Sequence, residues 1–386
     1  MRRRRRARGG MAVDVVAVGM LDPAQVPGGL DRYRVDLDRA LTERGHRVAE
    51  VCAALLPAGP GQYPAGGPWA TVWGARRAVR RILGAGGRRW TLVAAHFALP
   101  AAGVLSLAPA AHLPWVVHFH GPWAEEARVE SGRAGAPGPL GLRGGLERLV
   151  YRRARAVITL SSAFGRMASE RYGVPPQRVA VIPPGVDLHR FRPGDRDAAR
   201  RRWGLDPAAR VLLTVRRLAR RMGLEVLLDA VRRLPPENWV VLVAGDGELR
   251  AELAARVQSL GLEARVRLLG RVPDADLPDL YRAADVFVLP SLCLEGFGMV
   301  IPEALASGVP VLAFDVGGIP EALEGLPGCL VPPRDVERLA WALTQVVTGG
   351  GDLPTGAAVR RLAERRFSWD AVASRVEAVY REAARV

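Results

Sequence analysis

The chain has 386 residues, 49% of them apolar and 24% charged, and carries a net charge of +16. That composition excludes a disordered, collagen-like or disulfide-framed chain and leaves room for two globular domains of ordinary size. Every one of its 55 basic residues is arginine, which fits a GC-rich genome and weakens the case for nucleic acid as the reason for the charge.

Arg2 to Arg6 and Arg8 open the chain, and without them the net charge is +10 (16 − 6). Residues 1–10 read as a disordered basic tail, with Met11 as a second candidate start. Attraction to anionic lipid or nucleic acid is the functional alternative for this tail. Val13 to Gly19 reads as a strand, and Leu21 to Gly29 as a loop. Leu30, Tyr33, Leu37, Ala40 and Leu41 then recur at helical spacing, and Gly45 closes that helix. A second strand over His46 to Leu56 and a Gly/Pro-rich loop over Pro57 to Pro68 follow. Next come a basic helix near Trp73 to Leu83, strand Thr91 to Ala95, helix Leu99 to Leu107 and strand Trp115 to Phe119. Ser131 to Gly145 reads as a mobile glycine-rich loop, Leu146 to Arg153 as a helix, and Ala156 to Leu160 as a strand. Leu92 to Ala111 is apolar, but Pro100, Pro109 and His96 argue against a membrane span. No signal peptide is evident, so a soluble, cytoplasmic chain is expected.

Val179 to Asp187 and Arg190 to Arg202 read as the crossing to a second domain. Its strands fall at Val211–Val215, Trp239–Ala244, Val266–Leu269, Val286–Leu289, Val311–Phe314 and Cys329–Val331, with helices between them. A last helix runs from Asp370 to Ala384. The expected fold class is α/β: two doubly wound, Rossmann-like domains facing across a cleft. Cys52, Cys293 and Cys329 have no metal-ligand spacing and read as buried free thiols.

The densest chemistry lies in Pro290 to Pro310, PSLCLEGFGMVIPEALASGVP. Glu295 and Glu303 flank a turn in which Gly296 and Gly298 allow close backbone approach. Pro302 suits the first turn of a helix, whose free N–H groups favour an anion. Acids that bind hydroxyls beside amides that bind phosphate suggest a phosphorylated sugar or nucleotide. The basic stretch Arg216 to Gly223 lies between a strand and a helix, where a diphosphate would sit. Asp274 and Asp276 are expected to cap a helix rather than bind metal.

With these motifs in order, the sequence resembles the retaining family-4 (group 1) glycosyltransferases of the GT-B fold, from Val13 to Tyr380. The matching motifs are Gly28-Gly29, His120-Gly121, Ile182 to Asp187, Arg217-Leu218 with Gly223, Gly245 to Gly247, and Glu295 with Glu303. The resemblance implies an acceptor-side domain over residues 11–188 and a nucleotide-sugar domain over 189–366. Residues 367–386 become a terminal helix crossing back to the first domain. It implies His120, Arg217 and Glu295 at the reacting sugar. Donor contacts fall on Gly28, Gly29, Arg217, Arg221, Arg271, Val272, Glu295, Phe297, Gly298, Met299 and Glu303, with Glu303 on the ribose. His96, Trp123 and Glu125 are assigned to the acceptor side. His118 is assigned to the opposite face by strand alternation and to packing. The family's usual phosphate-binding lysine is here Met222, so either Arg221 or Arg216 replaces it or the phosphate clamp is weakened.

The resemblance further implies transfer from a nucleotide-diphosphate sugar to a hydroxyl-bearing acceptor, with no metal and no other cofactor. No nucleic-acid partner is expected, and a peripheral contact with the inner face of a membrane is left open. The alternatives are another sugar-nucleotide enzyme of this fold (an epimerase or phosphorylase) and a basic nucleic-acid-binding protein. Absence of Gly-x-Gly-x-x-Gly after the first strand argues against a dinucleotide oxidoreductase.

Overall fold

The computed structural model describes residues 12–21, 29–54, 67–84, 89–105, 107–130 and 141–385. They fall into two compact units. The first holds the described residues up to Gly185, apart from 128–130, together with 369–385; the second holds 128–130 and Val186–Ser368.

In the first unit the chain runs through β1 (Asp14–Leu21), α1 (Gly29–Glu43), β2 (Arg47–Ala54), α2 (Gly67–Gly84) and β3 (Leu92–Ala95). It continues through α3 (Ala98–Leu105), α4 (Ala108–Ala111), β4 (Trp115–Phe119), α5 (Trp123–Glu130) and α6 (Gly141–Arg153). β5 (Ala156–Thr159), α7 (Ser162–Tyr172) and β6 (Val179–Val181) complete it. The sheet is parallel, in the order β2-β1-β3-β4-β5-β6. Helices cover both faces, so central strands such as β3 and β4 are buried throughout and read as unbroken apolar runs.

Alternation along β4 divides the packing. Trp115, Val117 and Phe119 join Ala75 and Val79 of α2, Val104 of α3, Val150 of α6 and Phe164 of α7 in one core. His118 and the residue after the strand, His120, point to the other face, where α1 packs. Two sequence expectations change here. α6 begins at Gly141 rather than Leu146, because Gly144, Glu147 and Tyr151 are drawn into the interior and tertiary burial outweighs glycine's poor helix propensity. Val179–Val181, read as part of a crossing, is the sixth strand and pairs with β5.

The second unit contains α8 (Arg196–Arg202), β7 (Arg210–Val215), α9 (Leu224–Val231), β8 (Trp239–Ala244), α10 (Arg250–Ser259), β9 (Val266–Gly270) and α11 (Leu277–Ala283). Then come β10 (Val286–Leu289), α12 (Val300–Ala306), β11 (Val311–Phe314), α13 (Ile319–Ala322), β12 (Leu330–Val331), α14 (Val336–Val347) and α15 (Gly356–Arg366). Its parallel sheet has the order β12-β11-β10-β7-β8-β9. α16 (Trp369–Ala384) ends the chain in the first unit, burying Val372, Ala373, Val376, Tyr380 and Ala383 against α1 and strands β3 to β5.

Asp276 precedes α11 in a helical conformation and makes no side-chain cap bond, so the capping expectation fails for Asp276. Its carboxylate pairs instead with Arg202, and that of Asp274 with Arg190. Among the thiols, Cys329 is buried, whereas Cys52 and Cys293 are only half-buried. No described helix is long and apolar enough to cross a membrane.

Candidate active site

Both sheets reverse their strand order at an interior position, and a ligand binds such sheets outside the carboxyl ends of the two strands at that reversal. In the second unit the reversal lies between β7 and β10. The residues that follow these two strands are Arg216 to Gly223 and Pro290 to Met299. The strongest motifs of the sequence therefore converge by topology, although they lie far apart in the chain.

Two loops this close require small backbones. Gly223 has φ +71°, and a Cβ there would come 1.9 Å from the carbonyl oxygen of Pro290; the N–H of Leu292 donates to the carbonyl of Arg221 at 2.8 Å. Leu294 adopts φ +53°, a left-handed conformation that a branched residue occupies only at a cost. It immediately precedes Glu295.

Arg216 forms the floor of this cluster. Its Nη2 donates to Ser291 Oγ at 2.9 Å and to Glu295 Oε2 at 3.2 Å and lies against the sulfur of Met222. Ser291 also donates to the same carboxylate oxygen at 2.7 Å. Burial pulls the Arg216 guanidinium down to about 10, although Glu295 opposes the shift. It remains a cation at neutral pH. Its Nε and Nη1 are buried without a protein acceptor. Arg217 is more exposed and pairs with Glu130, which also lies 3.4 Å from Arg221 Nε. Arg221 donates to the Leu294 carbonyl at 3.3 Å.

Glu303 lies in the first turns of α12, nearly buried, and accepts from Tyr281 Oη at 2.8 Å. The Phe297 side chain is core, edge-on to Phe367 with centroids 5.5 Å apart. Gly298 turns at φ +74°, and Met299 precedes α12. Arg271 is exposed and Val272 half-buried beyond β9, two strands away from β7. Gly28 lies outside the described residues, and Gly29 is the exposed first residue of α1.

In the first unit His96 follows β3 and His120 follows β4. His96 Nδ1 and His120 Nε2 are 3.3 Å apart, so one donates to the other. The far nitrogens, His96 Nε2 and His120 Nδ1, have no protein partner. His118 does not face away. Residues two apart in a strand share a face, and His118 stacks on His96 with centroids 4.2 Å apart. Its packing role is clear: Nε2 meets Tyr380 Oη at 2.7 Å and Nδ1 meets Tyr33 Oη at 3.4 Å. Tyr33 stands edge-on to all three imidazoles. Burial lowers the pKa of each histidine, that of His120 to about 3.

The three rings present nitrogens within 4.8 Å of one another. Their planes are close to parallel and both His118 nitrogens are engaged by tyrosines, whereas tetrahedral coordination needs converging lone pairs. The arrangement is a neutral hydrogen-bonded stack. His120 can hold a hydroxyl, while His96 is 1% exposed and lies behind it. Glu125 is turned inward and pairs with Arg171, and Trp123 carries the Arg143 guanidinium 4.9 Å from its ring centroid. No place at the candidate site was read from the sequence for Tyr33, Tyr281, Ser291 or Tyr380. Only Ser291, one turn's length before Glu295 in the motif, offered a local signal.

Two family models match the chain, one described as glycosyl transferases group 1 over residues 195–361 and one as glycosyltransferase family 4 over residues 27–190. The chain is 33% identical to D-inositol 3-phosphate glycosyltransferase 1 of Catenulispora acidiphila, over 92% of this chain and 91% of that protein. It is 39% identical to the D-inositol 3-phosphate glycosyltransferase of Rhodococcus erythropolis, a match spanning 56% of this chain and about half (51%) of that protein. Sucrose-phosphate synthase from Thermosynechococcus elongatus superposes with a TM-score of 0.80 at 25% identity, covering 96% of this chain and 98% of the other. Anabaena HepE in complex with UDP-glucose gives 0.71 at 22% identity, covering 95% and 98%. The class is thus a glycosyltransferase with the GT-B fold. Within it, the chain belongs to glycosyltransferase family 4, group 1.

Proposed function

We propose that this glycosyltransferase moves a sugar from a nucleoside-diphosphate donor to an acceptor hydroxyl, with retention of anomeric configuration and without a metal ion. The observation that carries this reading is the grouping of Arg216, Arg217 and Arg221 with Glu295 at the strand reversal of the second unit. Arginines supply the positive charge that a departing diphosphate requires in place of a cation. Glu303, held by Tyr281, has the acceptor oxygens to bind two ribose hydroxyls.

In the step itself the anomeric C–O bond to the diphosphate breaks as the acceptor oxygen bonds to the same face. The acceptor's proton passes to a departing phosphate oxygen. His120 is a neutral imidazole well above its lowered pKa, suited to holding a sugar hydroxyl rather than to carrying a proton. An inositol phosphate is the first acceptor to test, since relatives at 33% and 39% identity carry that name. A UDP-sugar is the first donor, since the HepE structure holds one.

Thermal shift with UDP-, GDP- and ADP-glucose reads donor binding, because a ligand of the folded state raises its apparent stability. Product formation in EDTA, with the anomeric configuration read by NMR, tests the chemistry. Stabilisation by at least one donor, and an EDTA-insensitive product of retained configuration, are expected. An inverted product, or activity abolished by EDTA and restored by a divalent cation, would overturn the corresponding part of the reading.

A further inference from the structure

We infer that the outer surface of α2 and α6 is a docking face for a bilayer carrying anionic lipid. The inference goes beyond the reaction and does not depend on which donor or acceptor is used. Three of the five large apolar side chains exposed among the described residues lie on these two helices: Trp73 at 58%, Leu142 at 86% and Leu149 at 60%. Leu142 and Leu149 are seven residues apart, two helical turns, and so share one stripe. That stripe is opposite the buried Gly144, Glu147 and Tyr151. Trp73, likewise, lies opposite the buried Ala75 and Val79 of α2.

Both helices, with α3 beside each of them, cover the same face of the first sheet. Their outward stripes therefore belong to one surface of the unit. Charge selects the partner. α2 adds exposed Arg77, Arg80 and Arg81 and contains no acidic residue. On α6, Arg143, Arg148, Arg152 and Arg153 are exposed, whereas its sole acid, Glu147, is fully buried. Guanidinium groups with leucine and tryptophan between them suit the boundary of headgroups and acyl chains: the apolar tips enter and the arginines meet phosphate. A nucleic acid would use the arginines but leave two protruding leucines in water.

Flotation of the full chain with phosphatidylcholine vesicles, with and without phosphatidylglycerol, tests this. Binding to the anionic vesicles alone is expected. Leu142→Gln with Leu149→Gln should weaken it by roughly tenfold or more, and Leu149→Trp should strengthen it; circular dichroism checks the fold of each. Failure of the wild type to float with anionic vesicles would overturn the proposal. So would binding undiminished by the leucine substitutions, which would assign it to the arginines at the start of the chain. Preferential binding of an RNA homopolymer, indifferent to the leucines, would overturn it as well. None of these readouts involves glycosyl transfer, so the result stands apart from the proposed reaction.

Discussion

Arg216 and Glu295 meet at 3.2 Å where the loops after β7 and β10 come together, and the sulfur of Met222 lies against the same guanidinium. A positive charge is thus brought beside Met222 from the end of a strand six residues earlier, and Glu295 is held by it. Removing one partner of a buried pair leaves the other uncompensated, and the partial exposure of Glu295 puts the loss at about 2–3 kcal/mol. Arg216→Ala is expected to weaken donor binding by roughly tenfold to a hundredfold. Adding Met222→Lys to that variant should recover most of it, because a lysine there reaches the position the guanidinium vacates. Isothermal titration with the nucleoside diphosphate measures both. No recovery in the double variant would reject the exchange of roles.

Tyr281 and Glu303 form the second predictive pair, at 2.8 Å. Tyr281→Phe removes one bond that orients the carboxylate, a loss of about 1 kcal/mol. Donor KM should rise a few-fold with kcat nearly unchanged, the signature of an interaction made equally in ground and transition states. Glu303→Gln should raise KM further. A fall in kcat at constant KM would move Glu303 from the ribose to the reacting centre.

Most of this was legible because parallel strands buried on both faces leave unbroken apolar runs, as in β3 and β8. β6 escaped because its three residues are all half-buried and carry no such run. The start of α6 escaped because packing, not propensity, holds Gly141 to Gly145 in a helix. At the candidate site, Glu295, Glu303, Arg217 and Arg221 were named from their places in motifs. Arg216 was named only as an alternative to Arg221; its contact with Met222 and Glu295 was not legible, since it depends on β7 and β10 becoming neighbours. The facing of His118 was misassigned by one step of arithmetic: a period of two puts His118 and His120 on one face. Tyr380 could not be found locally, being 262 positions from the histidine it bonds.

Gly223 offers a test of the loop contact itself. A Cβ there would press to 1.9 Å from the Pro290 carbonyl, at a φ that side chains avoid. Gly223→Ala should therefore cost at least about 1–3 kcal/mol in unfolding free energy and should push apart the two segments that surround Glu295. Loss of stability with donor affinity intact would show that the contact shapes the fold but not the site.

The stacked histidines make a destabilising contribution to the first unit in acid. Burial depresses all three pKa values, that of His120 to about 3. Below the ordinary value of about 6.5 the unfolded chain therefore binds more protons than the folded one. Stability rises with pH wherever that holds, so the histidines' contribution is fully present above about 6.5 and drains as the pH falls toward the folded-state values. Each buried neutral histidine contributes a slope of about 1.4 kcal/mol per pH unit in that window. Asp38 and Glu147 in the same unit oppose this, because burial raises their carboxyls to about 8 and about 7 and the folded chain then holds protons that the unfolded chain has released. The histidine part is therefore read from the change in slope when one histidine is replaced. Urea unfolding followed by hydrogen exchange in β3 and β4 measures it. His96→Asn lowers the baseline by disturbing the stack, but the slope is the informative quantity, and it should fall by the share of one proton, about 1.4 kcal/mol per pH unit. An unchanged slope would mean that His96 is protonated in the folded protein, and the neutral hydrogen bond to His120 would have to be abandoned.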